Sequence, residues 1–229
     1  MSIKSKVLAG AATLAMVGGL STAGTLPASA ATPQCSQVSQ TCIQIFSKEF
    51  GTPASPGFIE TVFLGIPAAG VPTILHRASS TNPAEDLIVP LAGMVSTFYA
   101  DGLVSAAVNS HYGSEPAVQV EYAPYGKPTG LCAALAITAY QDEGLSLQPC
   151  RTPGTTVWII DTADSPGTLP NYFPLVNGST TDFTHPFGMA MTVNPARSLF
   201  PRIKVRHLIG NPAAVPDSQL WGRVFGVVS

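Results

Sequence analysis

"LSLQPCRTPGTTVWII", residues 145–160, runs from one apolar stretch through a Thr/Pro/Gly turn into another, and the rest of the chain is understood from it outward. Set above it, "ILHRASSTNPAEDLIV", residues 74–89, has the same order of strand, turn and strand. Glu85-Asp86-Leu87 then falls on Thr156-Val157-Trp158. Residues 203–221 give a third copy, closing on Gln219-Leu220-Trp221. The large apolar anchors Leu87, Trp158 and Trp221 recur at roughly 60–70 residues, a period that signals an internally repeated fold.

Around these copies, short apolar or alternating segments are separated by Gly, Pro, Asn and Ser. They cover residues 58–64, 73–77, 86–91, 118–122, 131–137, 145–149, 156–160, 172–176, 187–193, 202–208 and 219–225. Runs of this length, bounded by turn residues, predict an all-β chain. Residues 95–110, "VSTFYADGLVSAAVNS", fit either a short helix or a strand with a long connection.

The first thirty residues read as a secretory signal peptide. Lys4 and Lys6 precede an apolar stretch too short to span a bilayer, and Ala28-Ser29-Ala30 offers small residues at the cleavage site. Residues 31–229 are expected to form a single domain, secreted and extracellular, with no membrane span. Removing the leader takes away two of the eleven basic residues and none of the thirteen acidic ones. The resulting acidic chain argues against a nucleic-acid partner, which would need a strong basic field.

All four cysteines lie in the exported part, where thiols oxidise. Three connectivities are possible, and the separations favour two local loops, Cys35 with Cys42 and Cys132 with Cys150. Zinc is the weaker reading of these cysteines, since neither pair has knuckle spacing and no His pair accompanies them.

Gly130-Leu131-Cys132, the run 144–150 ending in Cys150, and Thr156-Val157-Trp158 together resemble one subdomain of a ricin-B-type β-trefoil: a G-x-C strand, a Cys-ending strand and a Q-x-W strand. Gln219-Leu220-Trp221 matches the last element literally. The resemblance implies a β-trefoil-like barrel of three degenerate repeats. Leu87, Trp158 and Trp221 would fill its core, and the polar residue two positions before each would satisfy turn backbone. Another β-barrel or a sandwich is the alternative fold. The runs PAED (83–86), GLVSAA (102–107), TTVWIIDT (155–162), VNGST (176–180) and QLWG (219–222) are also similar to a group of secreted proteins of high-GC Gram-positive bacteria, a likeness that brings no established activity.

A ricin-B-like fold first implies sugar binding, in which a carboxylate accepts hydrogen bonds from hydroxyls and an aromatic ring carries the sugar's apolar face. The acid expected after the first Cys is replaced by Ala133 and Ala134 in repeat two, and residues 187–190 of repeat three contain none. Glu60 in repeat one is near the right place. Tyr122, Tyr125 and Tyr172 are candidates for an aromatic binding face, or else cover the ends of the barrel. Arg202, Lys204 and Arg206 alternate with Ile203 and Val205, a pattern for an anion-docking face, a solvated face or a guarded sheet edge. Asn177-Gly178-Ser179 formally matches a glycosylation acceptor but reads better as a hairpin turn.

Catalytic motifs do not emerge. The four histidines have no H-E-x-x-H spacing, and no G-x-S-x-G elbow is present. The expectation is a non-catalytic binding protein with a carbohydrate or cell-wall ligand and neither metal nor other cofactor. An extracellular protein-interaction module with degenerate sugar sites is the alternative, and a hydrolase the third reading.

Overall fold

The computed structural model describes residues 43–52, 55–62, 64–77, 82–165, 172–191, 199–208 and 214–225. The expected leader and the Cys35 to Cys42 loop lie outside these residues. Among them the chain is mostly strand, so the all-β expectation holds. Twelve strands fall into three consecutive sets of four. The first set is β1 (Ile43–Thr52), β2 (Ser55–Thr61), β3 (Thr73–Arg77) and β4 (Leu87–Met94). The second is β5 (Pro116–Tyr122), β6 (Leu131–Ala134), β7 (Ser146–Pro149) and β8 (Trp158–Ile160). The third is β9 (Leu175–Asn177), β10 (Phe187–Met191), β11 (Ile203–His207) and β12 (Trp221–Phe225).

The same antiparallel pairing recurs in each set. β1 pairs β2, β4 and β12, while β5 pairs β6, β8 and β4. β9 pairs β10 and β8, and Phe173 just before it bridges Trp221. The second and third strands of every set form a hairpin, with Ile59 opposite Leu75, Ala133 opposite Leu147 and Met189 opposite Val205. These hairpins meet through single bridges, Pro72 to Ser146, Gly144 to Lys204 and Ile74 to Arg202. In strand order the sheet is open, running from β11 to β3.

Alternation decides which side of each strand is inside. On β11, Ile203 and Val205 are fully buried while Arg202 and Arg206 face outward, so the cation stripe expected from sequence lies opposite the apolar pair. Arg206 pairs with Asp142 through its Nε at 2.8 Å. Leu87, Trp158 and Trp221 all join the main core with Ile59, Leu75, Leu147, Met189 and Val205. Both indoles are wholly buried, and each satisfies its Nε1–H on a strand carbonyl at 2.8 Å: Trp158 on Ala133 and Trp221 on Met189. A buried indole without such an acceptor would carry an unpaired donor, so the two bonds fix the rings as well as filling the core.

Residues 95–110 resolve into helices. α1 (Val95–Ala100) and α2 (Ala106–Tyr112) lie between β4 and β5, and the Ser105 side chain caps α2 by accepting from the Val108 N–H. Val95, Phe98, Val108 and Tyr112 bury a second apolar cluster against Val157, Ile159 and Val176. Cys132 and Cys150 form a disulfide with their Cα atoms 4.9 Å apart, tying β6 to the end of β7. Asn177 is fully buried, donates to the Thr155 carbonyl and accepts from the Ser179 N–H, a turn role that leaves no exposed amide for a glycan. Among the described residues no helix is long and apolar enough to cross a membrane.

Candidate functional site

The recurring bridges place residues of the three sets on one another. Because 72 to 146, 144 to 204 and 202 to 74 are the same contact three times, Ile74, Ser146 and Lys204 are equivalent, and with them Leu75, Leu147 and Val205. Similarly, Leu87 opposite Tyr122, Trp158 opposite Asn177 and Trp221 opposite Ser47 make the three anchors equivalent. The anchor match read from sequence therefore stands, but the strand match does not: Ile74 falls on Ser146 rather than Leu145. The turn between strand and anchor is one residue longer in the first set, and an ungapped comparison carries that residue into the strand.

At the position two before the anchor, a polar side chain ties down the preceding turn. Gln219 donates through Nε2 to the carbonyls of Arg206 and His207, at 3.3 and 3.2 Å. Thr156 is shorter and reaches Cys150 and Thr152 carbonyls with its hydroxyl, while Gln119 supplies a second donor to Cys150 at 2.6 Å. The first set has Glu85 here. A carboxylate accepts but does not donate, so it cannot replace Gln on carbonyl oxygens. Instead Glu85 turns to His76, whose Nδ1 is 3.2 Å from its Oε2.

His76 sits on β3, and its Nδ1 is also 2.6 Å from Oε2 of Glu60 on the neighbouring β2. Glu60 is wholly buried, and its Oε1 makes no hydrogen bond. Asp86, next to Glu85 and bridged to Glu60 in the sheet, is buried as well. Three carboxyls and one imidazole are thus gathered where the equivalent positions carry Ala134 and Ala190 for Glu60, Gln148 and Arg206 for His76, and Val157 and Leu220 for Asp86. Only the first set converts this part of the core to acids.

Burial dominates the electrostatics. It pushes the Glu60 carboxyl up to about 9, with the charges of Asp86 and Glu85 adding to the rise and the Asn82 backbone N–H opposing it. Asp86 is raised to about 6 by burial and then by Glu85. Burial lowers His76, against the pull of Glu85. Glu60 therefore keeps its proton at neutral pH beside a neutral imidazole.

The cluster opens on a cavity of about 300 Å³. His76, Glu85 and Arg202 supply its polar wall, and Val62, Ile74 and Phe200 its apolar one. Phe200 is half exposed and meets the His76 ring edge to face at 4.6 Å. The arrangement can accept hydrogen bonds from hydroxyl or amine groups while an apolar face rests on Phe200.

Among the residues singled out from sequence, Glu60 stands behind His76 rather than at the surface. Tyr122 is built into the core, 4% exposed, with its hydroxyl donating to the Ala84 carbonyl at 2.6 Å. It thus holds the segment that presents Glu85, and its hydroxyl is not offered to a ligand. Tyr125 is exposed in a left-handed backbone conformation (φ 52°), with its N–H on the Pro83 carbonyl. Tyr172 is elsewhere, edge-on to Phe46 at 6.0 Å and beneath the Lys48 ammonium, which pairs with Asp217. The aromatic candidates do not form one face. Sequence reading missed His76, Glu85, Asp86 and Phe200, because they come together from separate stretches of the chain. The one signal was Glu85 at a position where its counterparts are Thr and Gln.

No protein-family model matches the chain, and no curated protein resembles it closely enough to stand as a relative.

Proposed function

We propose that the protein is a secreted, non-catalytic binding protein of β-trefoil-like architecture, and that the cavity of its first repeat takes a carbohydrate or cell-wall component. The observation that carries the reading is the departure of this repeat from the other two. Buried acids in place of Ala and Val cost stability, and here Glu60 stands behind His76, which with Glu85 borders a cavity with a half-exposed aromatic ring. Glu85 and the His76 ring would meet hydroxyls, and Phe200 would carry the sugar's apolar face. The trefoil element of the proposal is supported by the threefold recurrence of strand pairing and by the bridge between the two end strands of the sheet.

A pull-down on immobilised glycans and cell-wall polysaccharides, with Phe200→Ala and Glu85→Gln alongside, tests it. Retention of the wild type and a fall of about tenfold or more in each variant is expected for loss of one stacking or charge-assisted contact. Absence of binding by the wild type, or equal binding by all three, refutes it. The exposed Leu64, Ile66 and Leu199 favour a second reading, an extracellular protein-interaction module. In that case the purified protein elutes as an oligomer on size exclusion, and free sugars leave its elution unchanged.

A further inference from the structure

We propose that Glu60, His76 and Glu85 form a binding site for a zinc-like divalent cation. The inference does not rest on the ligand reading above, since it concerns the floor of the cavity and needs no sugar. Each of the three residues offers one donor atom, and these atoms all lie within 4.8 Å of one another. Among the described residues no other group of His, Cys, Asp and Glu meets that condition.

Two further observations separate this group from a chance cluster of acids. Glu60 is 0% exposed and its Oε1 has no hydrogen-bond partner, an arrangement that leaves a buried polar atom unsatisfied. The equivalent positions of the other two repeats hold Ala134 and Ala190, so the fold does not require an acid there. A cation beside Glu60 would give the buried carboxylate a positive counterion.

The geometry suits tetrahedral coordination. Bonds of about 2.0–2.1 Å to nitrogen and oxygen put neighbouring donors about 3.3 Å apart. The 3.2 Å from His76 Nδ1 to Glu85 Oε2 is already such an edge. The 2.6 Å from Nδ1 to Glu60 Oε2 is the length of a proton-bridged contact and must open by roughly 0.7 Å when the cation replaces the proton. One imidazole nitrogen with two carboxylates is a borderline donor set, suited to zinc and its first-row neighbours rather than to calcium, which takes six to eight oxygens. Three protein donors leave a fourth position for a further ligand, and two of the donor residues, His76 and Glu85, border the cavity.

The test is calorimetric titration of the chelator-stripped, purified protein with Zn²⁺ alone, repeated with Co²⁺ while recording visible absorption. One equivalent of metal is expected to bind, with Co²⁺ giving the intense bands of a four-coordinate site. Loss of a ligand should cost more than the 10–100-fold typical of an outer-shell change, so Glu60→Gln and His76→Gln are each expected to weaken Zn²⁺ by about 100-fold or more and to abolish the bands. His207→Gln, at an exposed histidine away from the cluster, should leave both unchanged. If Glu60→Gln fails to fold by circular dichroism, Glu85→Gln at the cavity wall replaces it. The proposal is overturned if the wild type takes up no stoichiometric Zn²⁺, if the ligand variants bind like the wild type, or if His207→Gln removes the binding.

Discussion

The first repeat and the other two solve the same packing problem with different residues. In the second and third, Trp158 and Trp221 fill the core and bond to strand carbonyls, while Thr156 and Gln219 tie down the preceding turns. In the first, Leu87 takes the anchor position without a donor, and the polar residues beside it turn inward on one another as Glu60, His76, Glu85 and Asp86. Two repeats maximise apolar burial and satisfied backbone. The remaining one gives up apolar burial at Glu60 and Asp86 to assemble a titratable group beside a cavity, the pattern expected where a site is retained at the expense of stability.

The largest effect should come from removing what the second and third repeats have and the first lacks. Trp158→Ala or Trp221→Ala is expected to cost about 3–5 kcal/mol, since each deletes a wholly buried indole and strands a carbonyl, read from the midpoint of denaturant unfolding. Equal loss in the two variants would support their equivalence, whereas a much smaller loss in either would break it. Replacing Cys132 and Cys150 together by Ala should cost about 3 kcal/mol by chain entropy, a constraint that the first repeat manages without.

The opposite experiment makes the first repeat like the second. Glu60→Ala, His76→Gln and Asp86→Val combined introduce the residues found at 134, 148 and 157. Because well-packed apolar groups commonly replace buried charges without loss, this variant is expected to gain on the order of 2 kcal/mol while losing cation uptake. A large destabilisation would mean that the acids hold the fold together and would remove the argument for a retained site.

The smallest effect is a slope. Glu60 and Asp86 have folded-state values of about 9 and about 6, above their ordinary 4.5 and 3.8. The folded form therefore binds more protons than the unfolded one in that window, and stability falls as pH rises. The contribution is fully present below pH about 4, weakens through 6 and is exhausted near 9. Unfolding midpoints in the presence of chelator should decline with pH in the wild type and decline less in the triple variant. Parallel profiles would show that neither carboxyl is perturbed by its surroundings.

Local pattern was enough to read several of these features from the chain. Alternation put Ile203 and Val205 inside and their cationic neighbours outside, because side-chain direction in a strand follows residue number. The two tryptophans could be assigned to the core because few other places accommodate an indole that size. The Cys132 to Cys150 bridge joins the two strands of a single hairpin, so short separation was a sound guide. Residues 95–110 fitted either helix or strand because their small and apolar residues satisfy either period, and packing on Val157 and Ile159 decided for helix.

By itself, then, the sequence determined the strand-rich class, the anchor positions and the loss of acids from the second and third repeats. Those follow from periodicity, residue size and composition, which are properties of a stretch of chain. Only the tertiary structure decided that Glu60 meets His76 and Glu85, that Phe200 stands beside them and that Tyr122 spends its hydroxyl on a carbonyl. Those distances depend on the register between strands and on the way β3 and β11 come together at Ile74 and Arg202. Covalent spacing leaves both undetermined, and the packing of the core fixes them.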